Sequence, residues 1–296
     1  MAIWAGAVLG IVLAQVLLGT PSKFLWIAAG ALLVGVVSFI DDWFQLSAGI
    51  RFASHLIAAG ALMIGNLRIE SIVLPGMALD FPPGLAWLLS LSFVVWTTNL
   101  YNFMDGMDGF AGGMGVIGFG AFSLLGWWAG DTQFAMVCAV VASATAGFLV
   151  FNFPPARIFM GDTGSSTLGL LAGACMLWAD RAGIFPLWVG VLVFSPFIVD
   201  ATVTLARRIF KGEKVWRAHK THYYQRIVEL GWGHRKTVLA EYVVMIGCAV
   251  SAIAGAMWLS HVAQWGLLIF WSAIYASIML IVGRIELSEN NKSRMR

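Results

Sequence analysis

Charge is scarce in this sequence. Asp, Glu, Lys and Arg supply only 11% of its 296 residues against 60% hydrophobic ones, and the mean hydropathy is +0.85. Soluble domains carry about 25% charged residues, so a water-solvated globule is excluded and a bilayer is the solvent that the composition fits. Cysteine is nearly as sparse. Cys138, Cys175 and Cys248 sit inside apolar runs with neither metal spacing nor a pairing pattern, which excludes a disulfide framework and leaves three small buried hydrophobes. No His-Glu-x-x-His or Cys cluster is present, so zinc chemistry is not expected. Met1–Gly19 lacks a basic n-region and a small-residue cleavage site, and it therefore reads as a retained spanning helix and not a signal. No nucleic-acid partner is expected.

What fills the chain instead is apolar runs with short polar joints. At ~20 residues per span, ten runs qualify, at 1–19, 24–40, 51–66, 84–101, 110–129, 132–151, 164–180, 184–204, 237–259 and 263–283. They predict an all-α polytopic protein, one membrane-embedded domain over 1–296, because a backbone in lipid must satisfy itself as helix. Between the third and fourth runs, Leu67–Leu74 alternates polar and β-branched residues ahead of Pro75-Gly76, predicting a short surface hairpin. Lys and Arg set the orientation. Alternating loops place Lys23, Arg68 and Arg181 on one side and the other 15 of the 18 opposite them, many in a long basic loop over 205–236. The basic side is expected to face the cytoplasm, with the hairpin periplasmic, and its charges also lie against anionic headgroups.

Carboxylates beside lipid are expensive and usually functional, so their positions under this topology are informative. Asp41-Asp42 ends the second run. Asn99 to Gly109, with Asn102, Asp105 and Asp108, ends the fourth. Asn152 to Ser165, with Arg157, Phe159 and Asp162, joins the sixth to the seventh, and Arg217, His219 and His222 lie in the basic loop. All four segments fall on the cytoplasmic face of one bundle, where they can converge.

Each segment has a plain structural reading. Asp41-Asp42 reads as a solvated helix end, and neighbours on a helix point ~100° apart. Asp105 to Gly109 reads as tight turns. Gly161 to Ser165 opens a helix, with Asp162, Thr163 or Ser165 as an ordinary N-cap or with its N–H groups open to a phosphate. The two histidines read as solvated, and Asp200 as a partner of Arg207 or Arg208. Together the residues form a coherent chemical set: carboxylates and an amide suit Mg²⁺, which keeps waters and is completed by substrate phosphates, while Arg, Lys and His suit phosphate. Mn²⁺ is the alternative ion for the same donors.

The ordered series from Asp41-Asp42 to His219-x-x-His222 resembles the polyprenyl-phosphate N-acetylhexosamine-1-phosphate transferases over nearly the whole chain, the enzymes that initiate O-antigen on undecaprenyl phosphate most of all. The resemblance implies that the lipid phosphate attacks the β-phosphate of a UDP-N-acetylhexosamine at the bacterial inner membrane, giving a lipid diphosphate sugar and UMP. It also implies roles. Asn102 and Asp162 would be the Mg²⁺ ligands, with Asp105 beside them. Asp108, Asn152 and Phe159 would hold the uridine, helped by the Gly106 and Met107 backbone. Asp41, of the pair with Asp42, would be the base or the carrier-phosphate contact. His219 and His222 match the ends of a His-x-His-His motif whose third position is Thr221 here, and Arg217 precedes them as in the family. Relatives are expected to carry another span and a Pro-, Asn-, Arg- and Gly-rich motif before the position of Met1, and no such motif exists in this sequence. A homodimer stays open.

A phosphate monoester is largely dianionic at pH 7, its second pKa being ~6, so direct attack is expected over an aspartyl intermediate, although the latter is sound chemistry. The alternative from another class is an ion-coupled transporter. Its acids would be expected near the midplane of two repeated halves, and no repeat is visible here. An intramembrane aspartyl protease would need Gly where Phe159 stands.

Overall fold

The computed structural model describes residues 3, 4, 6, 7, 9, 10, 23–214 and 219–294. It is a helical bundle with one small hairpin. In chain order the helices are α1 (Lys23–Phe44), α2 (Ala48–Ile64), α3 (Pro83–Phe103), α4 (Phe110–Trp128), α5 (Thr132–Asn152), α6 (Gly161–Arg181), α7 (Leu187–Val193), α8 (Ser195–Phe210), α9 (Tyr223–Ile227), α10 (Gly233–Met257) and α11 (His261–Arg294). Strands β1 (Ser71–Leu74) and β2 (Met77–Asp80) pair antiparallel, Ser71 opposite Asp80, across the expected Pro75-Gly76 turn.

Among the described residues, six helical stretches are long and apolar enough to cross a membrane, and a seventh if a bent pair counts as one span. The chain is thus a multi-pass membrane protein, and six or seven of the expected ten spans are recovered among the described residues. Much of 1–19 lies outside the described residues, although Trp4 Nε1 donates to Ala31 O at 3.1 Å and packs what is described of it on α1. Helix α2 has only 17 residues. Helix α6 fails because its first two turns, Asp162, Thr163, Ser165, Ser166 and Thr167, are polar; it is also the axis of the bundle, every residue from Thr163 to Ala179 being buried by protein. Its small residues let α3 approach; a Cβ on Gly173 would stand 2.4 Å from Thr97 Oγ1, the close helix packing that membranes favour.

The eighth expected span is broken into α7 and α8, bent by 83°. Pro196 is the cause, since it has no N–H for Leu192 O and its ring crowds that carbonyl. Ser195 Oγ donates to Leu192 O instead, at 2.7 Å. The basic stretch 205–236 is likewise not a long loop. Helix α8 continues to Phe210, and α9, a π-helical turn (Val228–Trp232) and α10 occupy the rest, leaving 211–214 and 219–222 as the described non-helical residues. Arg226 anchors this segment by gripping Glu286 near the end of α11.

The joints divide between two ends of the bundle. At one end, Arg181 pairs with Glu70, and Trp265 Nε1 donates to Pro75 O at 2.9 Å, tying the hairpin to α6 and α11. At the other end, α1, α3, α5 and α8 finish and α2, α4, α6 and α9 begin. All four polar segments singled out above belong to this second end.

Candidate active site

Asp41 and Asp42 diverge, as adjacent helical residues must, yet both reach the start of α6. Asp41, 8% exposed, accepts Leu46 N–H at 2.6 Å and Arg51 Nη1 at 3.0 Å. The same Arg51 nitrogen lies 3.4 Å from Asp162 Oδ2. Asp42 accepts the Asp162 N–H at 3.2 Å and the Thr163 hydroxyl at 2.8 Å. The cap of α6 therefore comes from a different helix, and Asp162, Thr163 and Ser165 are not its N-cap: that position is Met160, with no side-chain cap. Gly161 makes the approach feasible. Its φ of +67° is a left-handed conformation that favours glycine, and a Cβ there would meet Asp42 Oδ2 at 3.1 Å.

Asn102, in the last turn of α3, donates to Ser165 Oγ at 3.0 Å and hydrogen-bonds the Asp162 carboxylate. Burial raises the proton affinity of Asp162, and Asp42 adds to the rise while Asn102 and Arg51 oppose it. Asp105 follows in the α3–α4 turn. Burial, then the charges of Asp162 and Asp42, push its carboxyl well above the usual carboxylate range. Asp42, Asp105 and Asp162 thus concentrate negative charge that a cation would relieve. Among the described residues no three His, Cys, Asp or Glu side chains form a metal-holding group. Mg²⁺ does not need one, since one or two protein oxygens and substrate phosphates complete it, so the residues present fit this ion.

A cavity of about 600 Å³ opens beside these groups, lined among others by Arg51, His55, Asn99, Asn102, Asp162, His219 and His222. His219 is not a cation at neutral pH: burial first, then His222 and Arg208, hold its pKa down to about 4. Its Nδ1 accepts from Thr221 N–H at 3.4 Å and faces the Thr221 hydroxyl at 2.9 Å, which assigns the ring proton to Nε2. Thr221 in the motif's third position therefore orients a histidine. His222 stacks on His219 at 4.9 Å between centroids and is 3% exposed. Arg217 lies outside the described residues.

Asp200 corrects its expected role. Neither Arg207 nor Arg208 pairs with it; Arg208 turns to Glu213 at 2.8 Å. Asp200 instead accepts from Thr204 Oγ1 at 3.0 Å and from Tyr223 N and Tyr224 N at 3.0 and 3.1 Å, and holds His222 Nδ1 at 3.2 Å. It caps α9 and fixes the histidine at once. Asp200→Ala would strand these buried donors, at roughly 1–3 kcal/mol for an unsatisfied group. We expect a loss of at least about 2 kcal/mol, read as a lower melting temperature, and a smaller loss for Asp200→Asn.

Asp108, Asn152 and Phe159 form a neighbouring group that does not line this cavity. Asn152 accepts Gly109 N–H at 2.9 Å and donates to Ile158 O at 2.8 Å, while Asp108 accepts Ala156 N–H at 3.1 Å and lies 3.4 Å from His234 Nδ1. These bonds lock the α3–α4 and α5–α6 turns together. Phe159 is 79% exposed, its ring free beside them. Met107 is buried under the turn. Gly106 lies where a Cβ would stand 2.2 Å from the Tyr224 hydroxyl, so that turn and α9 meet only because the residue has no side chain.

Arg51 was not singled out from the sequence, nor were His55 and His234, and Asn99 was named only as the start of its segment. For Arg51 a signal existed: it is the one cation between the Asp41-Asp42 pair and Arg68.

The chain is similar to known proteins. A profile described as glycosyl transferase family 4 matches residues 24–180. The chain is 31% identical over 280 residues to a probable undecaprenyl-phosphate N-acetylglucosaminyl 1-phosphate transferase of Bacillus subtilis, covering 93% of this chain and 78% of that protein. It is 31% identical over 238 residues to the phospho-N-acetylmuramoyl-pentapeptide-transferase of Shouchella clausii, covering 76% and 72%. It is also 31% identical to a decaprenyl-phosphate N-acetylglucosaminephosphotransferase of Mycobacterium leprae, covering 73% and 60%.

Proposed function

The chain belongs to glycosyl transferase family 4, and from that premise we propose that it transfers an N-acetylhexosamine-1-phosphate from a UDP-sugar to undecaprenyl phosphate. The reaction releases UMP at the cytoplasmic face of the bacterial inner membrane and initiates O-antigen or another envelope glycan. The observation that carries the reading is the meeting of Asp42, Asp105, Asp162 and Asn102 with Arg51 beside a cavity of about 600 Å³ in a membrane bundle. The relatives named above are, by name, transferases of N-acetylglucosamine phosphate and phospho-N-acetylmuramoyl-pentapeptide, which supports an N-acetylhexosamine as the sugar.

In the proposed reaction an oxygen of the lipid phosphate forms a bond to the β-phosphorus of the UDP-sugar. The bond from that phosphorus to the bridging oxygen breaks, and UMP leaves with the electron pair. Asn102 and Asp162 would hold a Mg²⁺ ion, which would supply charge neutralisation for the diphosphate. Arg51, steered by Asp41, faces a phosphate oxygen as a fixed cation. His219 donates through Nε2 as a neutral imidazole, and His222 is presented by Asp200. Asp108 and the exposed Phe159 ring would offer a hydrogen-bond acceptor and a stacking face to uracil beside the cavity, on turns that Asn152 locks together. Positioning and electrostatics of this kind are most of what phosphoryl transfer asks of a protein.

The test uses purified full-length protein with undecaprenyl phosphate, Mg²⁺ and a panel of UDP-sugars, measuring UMP. Release with at least one UDP-N-acetylhexosamine, dependent on the lipid and on the metal, is expected. Folded protein that releases no UMP with any sugar would refute the reading.

A further inference from the structure

A second cavity, about 230 Å³, lies at the same end of the bundle between the end of α8, the strip before α9 and the end of α11. Five cations and three carboxylates line it. Arg208 is matched by Glu213 and Arg226 by Glu286. The other cations, Arg207, Lys211 and Lys220, make no ion pair among the described residues, and Glu229 is the one lining carboxylate left to face them. The cavity therefore holds a surplus of positive charge, the condition for capturing an anion.

Its position selects the kind of anion. Glu286 lies near the end of the apolar stretch His261–Ser288, so the cavity sits where a spanning helix leaves the hydrocarbon. Exposed apolar side chains are the sequence neighbours of lining residues on both helices: Phe210, 90% exposed, precedes Lys211 at the end of α8, and Leu287, 66% exposed, follows Glu286 on α11. Cations in the cavity, on helix ends that also carry exposed apolar side chains, suit a phosphate that carries acyl chains.

The cavity is also joined to the candidate active site by four consecutive residues. His219 and His222 line the larger cavity, whereas Lys220 and Thr221 line the smaller one. The Thr221 hydroxyl lies 2.9 Å from His219 Nδ1. An anion held by Lys220 on one side would fix the histidines on the other.

We propose that this cavity binds the phosphate of an anionic membrane lipid, and that occupancy holds the strip 219–222 in the arrangement that presents both histidines to the larger cavity. Binding does not rest on the transferase reading; only a consequence for turnover would.

Lipid-depleted full-length protein in neutral detergent is mixed with phosphatidylglycerol or phosphatidylcholine, and retained lipid is counted by native mass spectrometry. Wild type is expected to prefer phosphatidylglycerol by about tenfold or more at low salt. R207Q/K211Q/K220Q should lose most of that preference with its melting temperature in phosphatidylcholine unchanged. Equal retention by wild type and variant overturns the proposal, as does an equal loss in R235Q/K236Q, which would mean attraction to the basic face as a whole. A parallel arm offers inorganic phosphate alone. Phosphate adducts that vanish in the triple variant, without any lipid preference, would identify a soluble anion and overturn the lipid assignment. Amide exchange across 219–222, measured without substrate, should slow with phosphatidylglycerol in wild type only; unchanged exchange refutes the coupling whatever the fate of the transfer reaction.

Discussion

Asp162→Asn and Asn102→Ala should each lower sugar-phosphate transfer by about a hundredfold or more, which is ~2.7 kcal/mol of barrier, while the protein stays folded. The two side chains meet across α3 and α6, the amide hydrogen-bonding the carboxylate and Ser165 Oγ at 3.0 Å. Neither is needed to hold the helices together, because α3 and α6 are locked deeper in the bundle by the contacts of Gly169 and Gly173 with Thr97. Asp162→Asn keeps the shape and hydrogen-bonding capacity of the side chain but removes the charge opposite Arg51. A metal site should lose far more by that change than a structural cap would. Asn102→Ala removes the amide and leaves the Ser165 bond to Gly161 O in place. UMP release at saturating Mg²⁺, with melting temperature as the control for folding, measures both variants. Retention of more than about a tenth of activity in either, less than 1.4 kcal/mol, removes that residue from the ligand set.

The nature of the bundle was legible because composition and run length report directly on solvent, and the convergence of four segments followed from the side on which each run ends. The number of spans was not. Run counting treats apolar and small residues alike, so α6, whose Ser165, Ser166 and Thr167 lower its hydropathy, was counted as a span, and one proline at 196 split another run into two helices. The acidic pair illustrates a subtler limit. Divergence of Asp41 and Asp42 was expected from helical geometry, but their meeting again at α6, one through Arg51 and one through an N–H of Asp162, depends on the packing of α1 against α6. Asp200 was misread because sequence neighbours are the easiest partners to imagine for a charge. Its real partners on 222–224 come from the middle of the basic stretch, past the neighbouring arginines. Arg51 shows what pattern reading discards, a lone cation near the start of an apolar helix.

Asp41→Asn should be impaired at every pH, and wild type should not exchange labelled UMP into UDP-sugar without lipid. Three roles for Asp41 make different predictions. As a base removing the proton of the lipid phosphate, its loss would be felt at pH 6 and recover as the pH passes the phosphate's second pKa of ~6, where the acceptor ionises unaided. As a covalent nucleophile, it could not be rescued at any pH, and lipid-free exchange would occur in wild type. The structure disfavours both. One carboxylate oxygen is held by Leu46 N–H at 2.6 Å and the other by Arg51 at 3.0 Å, in a side chain 7% exposed, so both oxygens are engaged and little of the group is open to an incoming phosphate. The remaining role is to hold Arg51 between itself and Asp162, where the guanidinium can meet the acceptor phosphate. Asn at position 41 can still accept one of the two bonds but offers Arg51 no charge. The expected loss is therefore about tenfold to a hundredfold, ~1.4–2.7 kcal/mol, flat across pH 6 to 9 and shared by Arg51→Gln. In the double variant the two losses should not add, since each change removes the same contact. Full recovery of Asp41→Asn at high pH would restore the base, and lipid-free exchange by carrier-stripped wild type would restore the nucleophile.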